Sequence, residues 1–165
     1  MIATKETVYA KDVANNKMSV VREFDAPLAK VWKAWTESKY LDQWWAPKPW
    51  KAVTQSMDFR EGGKWLYYMQ GPEGERHYCR NDYKKIDPNK VFTGIDAFCD
   101  ENGNIKKDFP VMDWKTQFTA VGDRTRVEIE LTFASEEDMK KIIEMGFREG
   151  FTAAHGNLDE LLSRI

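Results

Sequence analysis

The sequence predicts one α+β domain in the order strand, two short helices, six antiparallel strands and one long C-terminal helix. Apolar residues recur at helical spacing in 28–45, alternate with period two in 51–134, and return to helical spacing in 139–165. Glycine, proline and asparagine signals divide the middle region into short strands. A chain of 165 residues suits a single core, so no second domain is expected.

The N-terminal part of the chain divides into a tail and a strand. Residues 1–17 are mixed and polar and predict a partly ordered extension ahead of the domain at 18–165. Residues 18–24 combine β-branched and charged side chains, which is typical of a strand near a sheet edge.

Two short helices follow this strand. Asp25 is the predicted cap of the first, and Pro27 is tolerated in a first turn whose amide hydrogens are unpaired anyway. Its apolar stripe is Leu28, Val31, Trp32 and Trp35. Ser38 is the predicted cap of the second, which Pro47 should end because a proline disfavours the α region at the residue before it. The second helix carries Tyr40, Leu41, Trp44 and Trp45.

The six predicted strands are 51–59, 64–70, 76–86, 90–99, 111–121 and 125–134. Short links such as Gly62-Gly63 and Gly122-Asp123 join consecutive strands, which predicts an antiparallel meander. Ser135 then caps one long helix whose first turn is acidic. Gly146 and Gly150 interrupt its apolar stripe and indicate either a bend or a close approach to the sheet.

Five of the tryptophans, Trp32, Trp35, Trp44, Trp45 and Trp50, lie within nineteen residues. A buried aromatic side chain covers about 150–250 Å², so this cluster is larger than two short helices need for docking. It therefore indicates either an aromatic core or a hydrophobic binding chamber. The first two belong to a helical stripe and predict docking, whereas the last three surround a stiff turn at 46–50 and predict a rim or gate.

Composition excludes several partners. The formal charge of −2 and the pI near 5.8 give no electrostatic reason to bind nucleic acid or an anionic membrane. The N-terminus lacks the pattern of a secretory signal, and Cys79 and Cys99 have no CxxC spacing, so reduced thiols in a cytoplasmic monomer are expected. Two histidines and two cysteines spread over four elements predict no metal site, and no cofactor motif is present.

Several local sequences carry a resemblance to a known family. They are Arg22-Glu23-Phe24-Asp25-Ala26-Pro27, Val31-Trp32-Lys33-Ala34-Trp35-Thr36, Trp44-Trp45, Asp58-Phe59-Arg60-Glu61-Gly62-Gly63-Lys64-Trp65 and Gly150-Phe151 ahead of Leu158-Leu161-Leu162. With the element order, they resemble the helix-grip fold of the START-like, or SRPBCC, superfamily, in the group similar to the C-terminal domain of the activator of the ninety-kilodalton heat-shock protein ATPase.

This resemblance implies a curved sheet that wraps around the last helix and encloses a cavity for an apolar small molecule. Asn81 and Phe151 depart from the family pattern, which commonly has glycine and tryptophan there, so the shape of the pocket does not transfer in detail. A void above about 300 Å³ would favour binding.

Strand alternation and the helical stripe select the candidate cavity residues. They are Trp35, Trp44, Trp45, Trp65, Tyr67, Met69, His77, Phe92, Phe98, Trp114, Phe118, Phe147, Phe151 and His155. Ordinary core packing is the better explanation of any one of them, and only their number favours a chamber. No catalytic residue is assigned, and His155 is the single weak candidate.

Three functional hypotheses remain open. The first is a binder of an aromatic or lipid-like small molecule. The second is a cyclase, dehydratase or hydrolase that uses His155 or Tyr67 as a general acid or base in the same cavity. The third is a co-chaperone that stimulates a heat-shock ATPase, as the resemblance implies.

Overall fold

The computed structural model describes residues 6–165, which form eight β-strands, four α-helices and one short 3₁₀ turn. The strands are β1 (Val8–Asp12), β2 (Lys17–Phe24), β3 (Lys51–Met57), β4 (Lys64–Gln70), β5 (Arg76–Asp87), β6 (Val91–Cys99), β7 (Met112–Val121) and β8 (Arg124–Thr132). The helices are α1 (Leu28–Thr36), α2 (Ser38–Trp44), α3 (Glu136–Glu144) and α4 (Phe147–Leu162).

All eight strands belong to one curved antiparallel sheet in the spatial order β1-β2-β8-β7-β6-β5-β4-β3. The meander from β3 to β8 is confirmed, and each of its strands ends within two residues of the predicted bounds. β2 pairs with β8, with Met18 opposite Leu131. The predicted α+β helix-grip fold is therefore confirmed.

The predicted, partly ordered N-terminal extension contains a strand at residues 8–12. They form β1, which pairs with β2 from Val8 opposite Val21 to Asp12 opposite Lys17. An edge strand needs no apolar face, and most of this one is exposed, so no alternation signals it. Tyr9 holds the strand to α4 because its hydroxyl donates to the carbonyl oxygen of Arg148 at 2.9 Å. Residues 1–5 of the predicted extension lie outside the described residues.

The predicted caps of the two short helices are also corrected. Pro27, in an extended conformation with ψ 153°, is the residue before α1, and Asp25 makes no capping bond. Glu37 is likewise extended before α2, so Ser38 is its first helical residue and not its cap. The cap at Ser135 is confirmed, since its hydroxyl accepts from the backbone N–H of Asp138 at 3.1 Å.

The long C-terminal helix is two helices. Gly146 has φ +89°, a left-handed conformation that an L side chain rarely adopts, and it separates α3 from α4. A Cβ at Gly150 would lie 3.7 Å from Cγ of Pro47, an ordinary contact distance, so lack of space does not require glycine there. None of the described helices is long and apolar enough to cross a bilayer.

α4 packs against α1 and α2 and is joined to the sheet by an ion pair. Arg22 of β2 is buried and binds both carboxylate oxygens of Asp159, one of them from Nη1 at 3.0 Å. The ion pair therefore joins the last turn of α4 to β2, whereas the first turns of this helix face β4–β7.

Candidate functional site

A cavity of about 330 Å³ lies between strands β4–β7 and the C-terminal helices. Small-molecule sites usually begin at about 300 Å³. Aromatic and sulfur-containing side chains make up most of the wall. The lining residues are Trp45, Pro47, Trp50, Tyr67, Met69, His77, Cys79, Asp96, Phe98, Met112, Trp114, Ile142, Met145, Gly146, Phe147, Gly150 and Phe151.

Three rings from different elements meet in this wall: Trp45 after α2, Trp114 on β7 and Phe151 on α4. Their centroids are 5.9 Å apart for Trp45 and Trp114, 5.8 Å for Trp45 and Phe151, and 5.6 Å for Trp114 and Phe151. Edge and tilted contacts at these distances are favourable. Phe147 stacks on Phe151 at 5.3 Å. The apolar part of the wall is therefore held by contacts between helices, turn and sheet.

The Tyr67 hydroxyl is fixed within the wall. It accepts a hydrogen bond of 2.9 Å from Nε1 of Trp45, and its ring stacks on Trp65 at 4.0 Å. Burial, followed by the charge of Asp96, raises the pKa of Tyr67 well above its ordinary value. The same two causes raise the pKa of the Cys79 thiol. Both groups keep their protons near neutral pH, so neither is an activated nucleophile.

Asp96 is the charged group of the cavity. It lies on β6, opposite Asn81 of β5 and Met112 of β7, and is 9 % exposed. Its Oδ1 is buried and has no hydrogen-bond partner among the described residues. Burial, with a smaller contribution from Asp82, raises the pKa of Asp96 to about 7.

The mouth of the cavity is marked by exposed lining residues. Met145 is 47 % exposed, and His77 is also exposed. Trp50 is half-buried, and its ring lies 5.3 Å from that of His77. The helices and the sheet both contribute to the mouth, since Met145 follows α3 and His77 is the second residue of β5.

A second space of about 20 Å³ adjoins the cavity, because Trp45 and Trp114 line both. Four buried polar atoms around it have no partner among the described residues: Nε1 of Trp35, Oδ1 of Asn81, Nε1 of Trp114 and Oγ1 of Thr116. We call this space the polar niche. Two N–H donors, one acceptor and one hydroxyl suit a single water molecule, which needs about 10–15 Å³.

The family follows from a comparison of the sequence with known families. The family model described as Activator of Hsp90 ATPase homolog 1-like protein matches residues 25–163, which include every residue of the cavity wall. The chain belongs to this family. Its fold and this match also agree with the START-like superfamily. A search of curated proteins finds no match.

Solved structures similar to this family member come from several bacteria. A solution structure of an Arthrobacter aurescens protein is 35 % identical and has a TM-score of 0.90, over 96 % of this chain and 92 % of that one. A crystal structure of a Mycobacterium smegmatis protein is 29 % identical with a TM-score of 0.88, over 95 % and 97 % of the two chains. A Nitrosomonas europaea protein is 28 % identical with a TM-score of 0.79, over 92 % and 96 %.

The structure of this family member brings eight of the fourteen candidate residues into the cavity wall. They are Trp45, Tyr67, Met69, His77, Phe98, Trp114, Phe147 and Phe151. Of the predicted rim or gate, Trp45 lies in the wall, Trp50 lies at the mouth and Trp44 lies in the core, where its Nε1 donates to the carbonyl of Ala34 at 2.9 Å.

The other candidates lie outside the cavity wall. Trp35, Trp65 and Phe92 line the polar niche, as does the departure from the family pattern at Asn81. Trp44 and Phe118 are packed in the core. The helical stripe and the strand alternation correctly predicted that these residues face the interior. Neither pattern shows whether an inward side chain lies in the core, at the polar niche or in the cavity wall.

His155 also lies outside the cavity wall, and its surroundings do not suit acid–base chemistry. Its ring packs against Phe151 at 4.2 Å and Phe24 at 5.5 Å, and Nδ1 bonds to Oγ1 of Thr7 at 2.9 Å. Burial, followed by the charge of Arg22, lowers the pKa of His155 to about 3. The ring is therefore neutral near neutral pH.

Asp96 is a charged residue of the cavity wall that the sequence patterns did not select. In β6 it has the same parity as Phe92 and Phe98, both of which were candidates. That parity was the available signal. An aspartate in a strand is ordinarily read as part of the solvent face, which is why it was passed over.

Proposed function

We propose that this protein binds an apolar small molecule, aromatic or lipid-like, in the cavity between β4–β7 and the C-terminal helices. The observation that carries the proposal is the cavity of about 330 Å³, whose wall consists mostly of aromatic and sulfur-containing side chains. A folded interior is normally close-packed, so a void of this size beside an exposed mouth favours occupation by a ligand.

The wall offers enough apolar contact for measurable affinity. A ligand of naphthalene size that buries about 300 Å² gains about 7–8 kcal/mol at 25 cal/mol per Å². The entropic cost of association reduces this gain. Affinity in the micromolar to millimolar range is expected for a purely apolar probe.

A cavity-filling variant with a matched control tests this proposal. Met69 lies in the wall, whereas Met57, on the neighbouring strand β3, packs on the core outside it. Methylnaphthalene should raise the melting temperature of the wild type and of Met57→Trp, but bind at least about tenfold more weakly to Met69→Trp, because the indole fills the void. Absence of binding to the wild type would refute the proposal.

A second candidate is an enzyme of the cyclase, dehydratase or hydrolase type in the same cavity. The pKa of about 7 at Asp96 supports it, because a general acid or base works best when its pKa is near the working pH. In this case Asp96, and not His155 or Tyr67, would exchange the proton. Asp96→Asn should then abolish turnover of any substrate found, while methylnaphthalene affinity stays within about threefold of the wild type.

The family description supports a third candidate, a co-chaperone that stimulates a heat-shock ATPase. An ATPase assay with the chaperone tests it directly. No stimulation at saturating protein would exclude this candidate, and stimulation that persists in Met69→Trp would separate it from ligand binding.

A further inference from the structure

The charges of the cavity wall are unbalanced. Asp96 is its one acidic residue among those described, and no lysine or arginine lines it. His77 is at the mouth and exposed. The charged form of Asp96 has one oxygen shielded from water and no counter-ion, which is costly unless the carboxylate takes up a proton or another partner binds.

The neighbouring polar groups do not satisfy Asp96. The Tyr67 hydroxyl accepts from Trp45 and interacts with the Cys79 thiol. Asp82, on the adjacent strand, is engaged by Arg80 at 2.7 and 2.8 Å. Oδ1 of Asp96 has no partner in residues 6–165. A buried polar atom of this kind in a ligand-sized cavity indicates a partner that arrives with the ligand.

The rest of the wall favours a cation. Trp45, Trp114 and Phe151 turn aromatic surface toward the same space that Asp96 lines. Aromatic rings attract ammonium groups, most strongly where water is excluded. An aromatic wall with one unpaired acid and no basic residue is complementary to an organic cation.

We propose that the ligand is an organic amine, whose apolar body fills the aromatic part of the cavity and whose ammonium group donates hydrogen bonds to the carboxylate of Asp96. This inference rests on the proposed binding function and assigns the ligand's chemical class. The ammonium group supplies both the missing counter-ion and the missing donor. A neutral alcohol would supply only a donor.

The electrostatics of the wall give the pairing a defined pH dependence. Tyr67, Cys79, Tyr83 and Cys99 all have raised pKa values and are uncharged, so Asp82 is the charged neighbour that acts on Asp96. Since the pKa of Asp96 is about 7, amine affinity should fall by about tenfold between pH 8 and pH 6 as the carboxylate is protonated. The same fall is expected in His77→Gln, which removes the imidazole at the mouth.

The test compares three probes of the same shape: naphthylmethylamine, naphthylmethanol and methylnaphthalene, all substituted at the same ring position. Calorimetric titration of the wild type at pH 8 should give amine binding at least about tenfold tighter than hydrocarbon binding. In Asp96→Asn the preference should shrink to within about threefold. The matched control Asp82→Asn, whose carboxylate lies outside the cavity wall, should keep it.

Each other outcome is decisive. If the hydrocarbon binds and the amine shows no preference, or if the preference survives in Asp96→Asn, the amine is refuted and the apolar site stands. If the alcohol binds as tightly as the amine, the cation is refuted. If none of the three binds, both the site and the amine fail. If Asp96→Asn does not fold, the amine affinity of the wild type at pH 8 and pH 6 tests the same pairing. An affinity that does not fall between these values would refute the amine.

Discussion

The indole nitrogen of Trp45 donates a hydrogen bond of 2.9 Å to the hydroxyl of Tyr67. This bond joins the turn after α2 to the centre of β4 across the cavity wall. It places a hydrogen bond among the aromatic side chains of the cavity wall. The position of Trp45 therefore depends on more than ring packing.

Removing either partner of this bond should destabilise the fold. Tyr67→Phe leaves the Trp45 N–H without its acceptor and should lower the free energy of unfolding by about 1–3 kcal/mol. Urea unfolding of Trp45→Phe, Tyr67→Phe and the double variant measures the coupling, which should be about 1 kcal/mol. Additive effects would mean that the bond contributes nothing.

Asp96→Asn should stabilise the protein in a pH-dependent way. Because the folded-state pKa of Asp96 is raised to about 7 from 3.8, the wild type loses stability as pH rises between these values. The gain from Asp96→Asn should be larger at pH 8 than at pH 5 by about 2–3 kcal/mol. Urea unfolding of the wild type and of Asp96→Asn at both pH values measures this difference. An equal gain at both pH values would contradict the buried carboxyl.

His155 should produce the opposite dependence. Its folded-state pKa is lowered to about 3 from 6.5, so its contribution is fully present above pH 6.5 and is lost as pH falls toward 3. When the pH falls from 8 to 5, the free energy of unfolding of His155→Phe should therefore rise by about 2 kcal/mol relative to that of the wild type. An imidazole NMR signal that titrates near pH 6.5 would contradict this assignment.

The break between α3 and α4 should depend on Gly146. Gly146→Ala places a side chain at φ +89° and should cost about 1–2 kcal/mol. Gly156 is the matched control, since it is exposed within α4, has no positive φ and has open space around its Cβ position. Gly156→Ala should stabilise the helix by up to about 1 kcal/mol. Thermal unfolding of both variants compares them, and equal effects would mean that the left-handed conformation is not required.

The sequence was most informative where a local pattern determines the structure. Turn residues such as Gly122 predicted the strand boundaries. The alternation of side chains along β4 predicted that Trp65 and Tyr67 are buried, and both are. The exposed strand β1 carries no such pattern, because its pairing with β2 uses backbone groups that any residue provides. Gly146 was seen as an interruption, but only the backbone shows that it is a bend.

The candidate site was predictable in kind and not in detail. Helical periodicity predicts that both Trp44 and Trp45 face inward. Trp44 lies in the core, however, and Trp45 lies in the cavity wall. The two rings differ in their tertiary contacts, since Nε1 of Trp44 donates to the carbonyl of Ala34, ten positions away, and Nε1 of Trp45 donates to the hydroxyl of Tyr67, 22 positions away. Contacts of that range leave no local pattern in a sequence.

Methionine methyl NMR tests the central claim most directly. Met69, Met112 and Met145 line the cavity, whereas Met18, Met57 and Met139 pack in or on the core outside it. In protein labelled at the methionine methyls, methylnaphthalene should shift the first three signals and leave the second three nearly unchanged. Shifts of the second group alone, or none at saturating probe, would contradict an apolar ligand site in this cavity.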